Sequence, residues 1–198
     1  MAVFCYYSFM LGVVGIDEVG RGCWAGPLLV VAARLKPRHL LPAGLKDSKL
    51  LTPSQREIFA EQIVEKCELG EGWVQHDEID KLGLARAMKL GVARALMGIG
   101  VAPDDAVIID GLVNYCPPEF TNVSTIAKAD SLHPIVSAAS IYAKVKRDQH
   151  MSRIAPLYPH FQFEKHVGYG TKLHMEMLKL HGVSQIHRQS FKPIQALL

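Results

Sequence analysis

Two acids stand side by side in the stretch GIDEVGRG, at the end of an apolar run and directly before a glycine-rich loop. They are Asp17 and Glu18. Two further acids share their setting. Asp110 ends the apolar run AVIID just before Gly111, and Asp130 falls between a short strand and the start of a helix. An ionised carboxylate in a core is prohibitively costly unless it is paired or binds a metal. No lysine or arginine lies within these strand segments to pair with them. A shared divalent cation is the expected partner, and all-oxygen ligation favours Mg²⁺ or Mn²⁺, ions that also bind substrate phosphates. Asp130 would serve equally as a helix N-cap. Neighbouring strand residues point to opposite faces, so a shared site for Asp17 and Glu18 requires the pleat to break at Glu18, where Gly20 and Gly22 turn the chain.

The loop Gly20-Arg21-Gly22 suggests a second kind of chemistry. Two glycines one residue apart allow close backbone approach and leave N–H and C=O groups free to probe a small hydroxyl. The ribose 2′-OH, which distinguishes RNA from DNA, is such a group; a tight turn between strands accounts for the same residues without a ligand. Lys46, Ser48 and Lys49, in the stretch GLKDSKLL, suit phosphates or a solvated loop. Lys144, Lys146 and Arg147 cannot all share one helix face, so one or two of them, with Lys144 and Arg147 preferred, would touch nucleic acid. His187 and Arg188 are expected on the same basic side. Trp24 and Trp73 read as packing residues. The nine histidines, His166, His174 and His181 included, show no zinc-ligand spacing beside an acid.

The elements that must position these groups can be read from periodicity. The run to Ile16 and PLLVVAARL (27–35) are paired strands, and WVQH (73–76), AVIID (106–110) and part of 121–130 supply others. A helix over 52–69 opens on Thr52 as N-cap, Pro53 at its first position and Gln55 as capping-box partner, with Ile58, Phe59, Ile63 and Val64 at helical spacing and Gly70 as its stop. Helices over 84–99 and 171–182 follow the same logic. A long helix from about Ser131 to Ile154 has Asp130 or Ser131 as N-cap and Pro134 in its first turn. The pattern is α/β, a mixed central sheet flanked by helices.

Composition limits the remaining choices. The chain has 198 residues, 49% apolar and 21% charged, which suits one globular domain over 1–198. Residues 144–198 carry nine basic against three acidic side chains and six of the nine histidines, whereas the remainder is net acidic. A basic region, in particular about 155–198, beside an acid cluster suits a polyanion held near a metal, or a solvated face. Cys5, Cys23, Cys67 and Cys116 form neither a C-x-x-C pair nor a disulfide framework, which favours a reducing compartment. The first 16 residues carry no charge, but they lack a basic start and are shorter than the roughly 20 residues that span a bilayer. An apolar leader (about 1–10) before a buried strand, and a cytoplasmic protein away from membranes, are expected.

The blocks DEVGRG…AGP, GLKDSKLL, IIDG, KADS, SAASIYAKVKRD, GYGT and HRQSF occur in this order between about 15 and 192. Together they resemble ribonuclease HII, the bacterial type-2 ribonuclease H. The resemblance implies a ribonuclease H-like fold with a C-terminal helical region. It implies metal-binding carboxylates at Asp17, Glu18, Asp110 and Asp130, serving two Mg²⁺ or Mn²⁺ ions. It further implies hydrolysis of the RNA strand of RNA–DNA hybrids and incision 5′ of ribonucleotides embedded in DNA, leaving 5′-phosphate and 3′-hydroxyl ends. Such an enzyme would act in ribonucleotide excision and in primer removal during DNA replication. By the same resemblance Gly20, Arg21 and Gly22 read the 2′-OH, and Tyr169 stacks on the following deoxyribose. The chain departs from the family pattern at Cys23-Trp24, where proline-leucine is usual, at Gly170, where proline is common, and at Ala129 in place of glycine. A monomer is expected, and the terminal QALL is at best a fragment of a sliding-clamp-binding tail. Ribonuclease HIII resembles the chain less. A resolvase-like DNA nuclease would need neither the 2′-OH loop nor Tyr169, and a catalytically silent hybrid-binding protein would lack one of the acids.

Overall fold

The computed structural model describes residues 12–45 and 51–198. The apolar leader and the loop residues Lys46, Ser48 and Lys49 lie outside the described residues. A five-stranded sheet runs in the order β3-β2-β1-β4-β5. Its strands are β1 (Val13–Val19), β2 (Leu28–Leu35), β3 (Cys67–Val74), β4 (Ala106–Asp110) and β5 (Val123–Ile126). The first three form an antiparallel meander, and β4 and β5 are parallel to β1, so the sheet is mixed as expected.

Two apolar layers sandwich the sheet. Val13, Leu29, Val31 and Ala33 face helices α1 (Pro53–Lys66) and α5 (Pro134–Ile154). The alternate residues Val14, Ile16, Val30, Ala32, Val107 and Ile109 face α2 (His76–Leu82) and α3 (Leu84–Gly98). This period-2 division is what a sheet covered on both faces demands. At Gly15 a side chain would run into the backbone of Ile135 and Val136, so the bare glycine lets α5 lie directly on β1. Short helices α6 (Phe163–His166), α7 (Lys172–His181) and α8 (Lys192–Gln195) form the C-terminal region, with two 3₁₀ turns at 155–157 and 159–161. They pack Phe161, Phe163, Leu178 and Ile194 against Ala25 and Met151.

The Thr52–Gln55 capping box forms as expected: the Gln55 N–H donates to Thr52 Oγ1 and the Thr52 N–H donates to Gln55 Oε1. The other end of α1 differs from expectation. The helix stops at Lys66, and Gly70 lies inside β3, where a Cβ would strike the Ala95 carbonyl of α3. Gly70 is a contact glycine, not a stop, and only Ile63 of the four apolar positions is fully buried, Ile58 and Val64 being exposed.

The helix expected from about Ser131 is also interrupted. A single turn, α4 (Ala129–Leu132), is followed by extended His133 at φ −120° and ψ 108°, and α5 begins at Pro134. Proline excludes its predecessor from the helical region, which moves the break to His133. Asp130 therefore sits inside a helical turn and is not an N-cap. Among the described residues, no helix is long and apolar enough to cross a membrane.

Candidate active site

The parallel ladder between β1 and β4 ends at Ile16–Ile109, but β1 continues to Val19 along β2. Beyond that point one edge of β1 is open, and a cleft of about 370 Å³ occupies the gap. Asp17, Glu18 and Asp110 line it, together with Gly20, Arg21, Gly22, Arg56, Ser140, Lys144 and Tyr169. The expected break of the pleat at Glu18 does not occur, because Glu18 still pairs with Val30. The two adjacent acids leave opposite faces of an unbroken strand, and they meet in one cleft because β4 no longer separates those faces. A larger cleft of about 490 Å³ at the β3 edge is lined by Glu71, Trp73, Gln75, Lys146, Gln149, His150 and Arg153. With a single acid it lacks the charge cluster, so the smaller cleft is the candidate.

The electrostatics of this cleft are unfavourable to anions. Burial pushes Asp17 up to about 8, against a hydrogen bond from Ser140 that lowers it, and the charges of Glu18 and Asp110 push the same way as burial. Burial likewise raises Glu18, opposed by Arg21, whose Nη1 lies 3.5 Å from Glu18 Oε1. Asp17 accepts the Glu18 N–H at 2.7 Å, and Asp110 accepts the Ala129 N–H at 2.7 Å. The second bond ties β4 to the turn carrying Asp130. Asp130 is 4% exposed, its backbone carbonyl accepts from Ser137 Oγ, and it is not part of the lining of the cleft.

Among the described residues no three acidic, histidine or cysteine side chains already enclose a metal position. The donor chemistry nonetheless fits a hard cation. Mg²⁺ is commonly held by one or two carboxylates, with water and substrate phosphate completing its shell, and buried carboxylates raised in this way gain from any positive charge placed between them.

Of the expected substrate contacts, Gly20, Arg21, Gly22, Lys144 and Tyr169 line the cleft. Arg21 also donates from Nη2 to the Tyr115 hydroxyl at 3.3 Å, and Lys144 Nζ stands 5.5 Å from the centre of the Tyr169 ring. Arg147, His187 and Arg188 must be corrected. All three are 0% exposed and face no solvent from which a nucleic acid could reach them. The basic side is therefore smaller than the sequence implies, since a guanidinium can direct its donors into the protein. Arg56 and Ser140 also line the cleft, where the sequence gives no reason to expect them. Arg56 lies on a helix that reads as ordinary, and Ser140 sits in the run SAAS, which reads as helix packing.

The two departures from the family pattern near this cleft touch each other. A Cβ on Gly170 would enter the Trp24 ring, so the tryptophan fills the room that a residue with a side chain would take at 170. Trp24 therefore packs, as expected.

Comparison with known proteins gives a consistent result. The ribonuclease HII family matches residues 14–194. A ribonuclease HII of Wolbachia sp. subsp. Brugia malayi is 41% identical over 182 residues, 92% of this chain and 88% of that protein. Among solved structures, the PCNA:RNase HII complex from Archaeoglobus fulgidus contains a chain similar at a TM-score of 0.77 and 26% identity, over 93% of this chain and 96% of that one. The ribonuclease H2 of Pyrococcus horikoshii OT3 gives 0.74 and 26% over the same shares. With this fold and a family match over nearly its whole length, the chain belongs to the ribonuclease HII family and is a ribonuclease H hydrolase of RNA–DNA hybrids.

Proposed function

We propose that the protein incises duplex DNA 5′ of embedded ribonucleotides as well as cutting longer hybrids, leaving 5′-phosphate and 3′-hydroxyl ends, with Asp17, Glu18, Asp110 and Asp130 as its catalytic carboxylates. The observation that carries the reading is the convergence of Asp17, Glu18 and Asp110 on one cleft that also holds Gly20–Gly22 and Tyr169. Two divalent ions, Mg²⁺ or Mn²⁺, would lower the pKa of an attacking water and offset the charge growing on the phosphate.

The chain's own groups divide the remaining work. Asp17 and Asp110 stand on adjacent strands on the α5 side of the sheet and would hold the ions from one face, Asp17 being nearest the scissile phosphate. Glu18 would close the opposite side, and Asp130 would complete the set from α4. Lys144 and Arg56 supply positive charge beside the cleft, suited to the phosphates that flank the cut. Gly22 has open space where a Cβ would stand, so a ribose can approach the backbone there and its 2′-OH can be read. Tyr169, 37% exposed, offers its ring to the next sugar. Ribonucleotide excision and primer removal in the cytoplasm, by a monomer, follow as the setting of such an activity. The A. fulgidus relative was solved with PCNA; recruitment of this chain by a sliding clamp through its terminal QALL is part of the same proposal.

The test is a labelled DNA duplex with one ribonucleotide, incubated with Mg²⁺ or Mn²⁺ and mapped for its ends, beside an all-DNA duplex. Cleavage 5′ of the ribonucleotide with a 3′-hydroxyl, and none of the all-DNA duplex, is expected. Cleavage of long hybrids with the single ribonucleotide left intact would remove the roles given to Gly20–Gly22 and Tyr169.

A further inference from the structure

Arg147 and Arg188 are among the largest side chains buried without any exposed surface. Every guanidinium nitrogen of both donates to a backbone carbonyl. Arg188 reaches Gly20 at 2.7 Å, Arg21 at 2.9 Å and Gly26 at 3.0 Å. Arg147 reaches Pro27 at 2.8 Å, Val167 at 2.9 Å and Ala25 at 3.3 Å. The targets are the Gly20–Gly22 loop, the segment that descends from it, and the residue before Gly168-Tyr169. Burying a charge is costly, and here it is spent on holding two loops nearly 150 positions apart in the chain.

Three buried histidines hold the second loop from behind. The Tyr169 carbonyl can only accept, so His174 Nδ1, 2.9 Å away, carries the proton. His174 Nε2 is then a lone pair, and His187 Nε2, 2.9 Å from it, must donate. That leaves His187 Nδ1 to accept from the Ser184 N–H at 2.9 Å and from the Ser184 hydroxyl at 2.7 Å. His166 donates from Nε2 to the Phe161 carbonyl at 2.8 Å and accepts the Gly168 N–H at Nδ1, and its ring stacks on His174. The chain closes with one tautomer for each ring, and a further proton would set two donors face to face. Burial holds both His174 and His187 down to about 4, so the chain stands intact at neutral pH. The Trp24 N–H donates to the Gly168 carbonyl at 2.8 Å, and the Arg188 N–H donates to the Trp24 carbonyl at 2.7 Å, joining the two loops directly.

We propose that Arg147, Arg188, His166, His174 and His187 form one positioning network that fixes the spacing between the Gly20–Gly22 loop and Tyr169, and that this spacing sets the preference for a lone ribonucleotide over a uniform hybrid. The inference rests on the assignment of those two loops as readers of the ribonucleotide and the sugar after it. A uniform hybrid offers a 2′-OH at every step and tolerates a displaced reader. A lone ribonucleotide offers one, so both loops must meet adjacent sugars at once. Displacement by about 1 Å costs up to about 10²-fold in rate, and that loss falls on the lone-ribonucleotide substrate.

The experiment compares kcat/KM on a single-ribonucleotide duplex and on a uniform hybrid for the unaltered protein, His174→Leu, His174→Asn, Arg188→Lys and Tyr169→Ala, each checked for folding by circular dichroism. His174→Leu and Arg188→Lys are expected to lower the ratio about 10- to 100-fold, with uniform-hybrid cleavage within about threefold. His174→Asn, whose amide can still donate to the Tyr169 carbonyl, recovers most of the ratio. Equal losses on both substrates, or an unchanged ratio, overturn the proposal, provided that Tyr169→Ala changes the ratio. An unchanged ratio for Tyr169→Ala means instead that the reading of the loops has failed. Should the buried variants not fold, imidazole ¹⁵N shifts of the unaltered protein decide: Nδ1–H for His174 with Nε2–H for His166 and His187 supports the network, and any other set of tautomers refutes it.

Discussion

Asp17→Asn should abolish catalysis while making the ion-free protein more stable. In the folded chain Asp17 is raised from 3.8 to about 8, chiefly by burial. At pH 7 folding must therefore drive a proton onto a carboxyl that is ionised in the unfolded chain. At about 1.4 kcal/mol per unit over some three units, this costs about 4 kcal/mol as an upper figure. Structural relaxation and the imperfect fit of an amide reduce the expected gain to ~1–2 kcal/mol. For a chain of this size that corresponds to roughly 2–8 °C in melting temperature. The sign also fixes the pH dependence. Between about pH 4 and 8 the folded state holds a proton that the unfolded state lacks, so the contribution is intact below this window and lost as pH rises through it. Melting curves of both proteins in EDTA at pH 5, 7 and 8 check this, and the gap should widen towards pH 8. Mg²⁺ or Mn²⁺ should then raise the melting point of the unaltered protein more than that of the variant. A variant that melts lower than its parent at pH 8 in EDTA would refute the idea that burial opposes the ionisation of Asp17 and that a cation would favour it.

Three further outcomes follow from the geometry around the cleft. Gly20, at φ +83° and against the Arg147 side chain, should not tolerate alanine: left-handed backbone alone costs about 1–2 kcal/mol, whereas Gly22→Ala, with open space at its Cβ, should change stability by less than about 0.5 kcal/mol and yet weaken ribonucleotide incision. Thermal melts and cleavage rates separate the two, and equal melting points would contradict the packing described. Gly170→Ala should destabilise by collision with Trp24, and Trp24→Leu in the same chain should recover most of the loss; additive effects in this double-mutant cycle would argue against direct contact. Lys144→Ala and Arg56→Ala should each weaken hybrid binding and reduce the slope of log K against log salt by about 0.7–0.9 if each meets one phosphate. An unchanged slope would place them away from the backbone of the nucleic acid.

What the sequence disclosed, and what it concealed, follow from different physics. The acids at strand ends could be read because carboxylates closing an apolar run that holds no basic residue are costly to bury unless something compensates their charge. Thr52 and Gln55 could be read because a capping box is local. Gly70 misled because a helix stop and a contact glycine look alike; only the Ala95 carbonyl lying against it tells them apart. The meeting of Asp17 and Glu18 was anticipated, but its cause was not: register, which ends β4 early relative to β1, is a long-range property. Arg147, Arg188 and His187 were the largest surprise. A basic residue is surface by default, and nothing local marks one whose donors are all taken up by carbonyls far along the chain.

The most direct test of the central claim, that this carboxylate cluster hydrolyses RNA strands with the help of divalent ions, is the rate of uniform RNA–DNA hybrid cleavage by the unaltered protein and by Asp17→Asn, each with Mg²⁺ and with EDTA. RNA-strand cleavage by the unaltered protein with Mg²⁺, and none in EDTA, is expected. Asp17→Asn should lose at least ~10²–10³-fold, although that variant is the more stable of the two without ions. Ion-independent cleavage, or a folded Asp17→Asn protein that cuts at the parental rate, would contradict it.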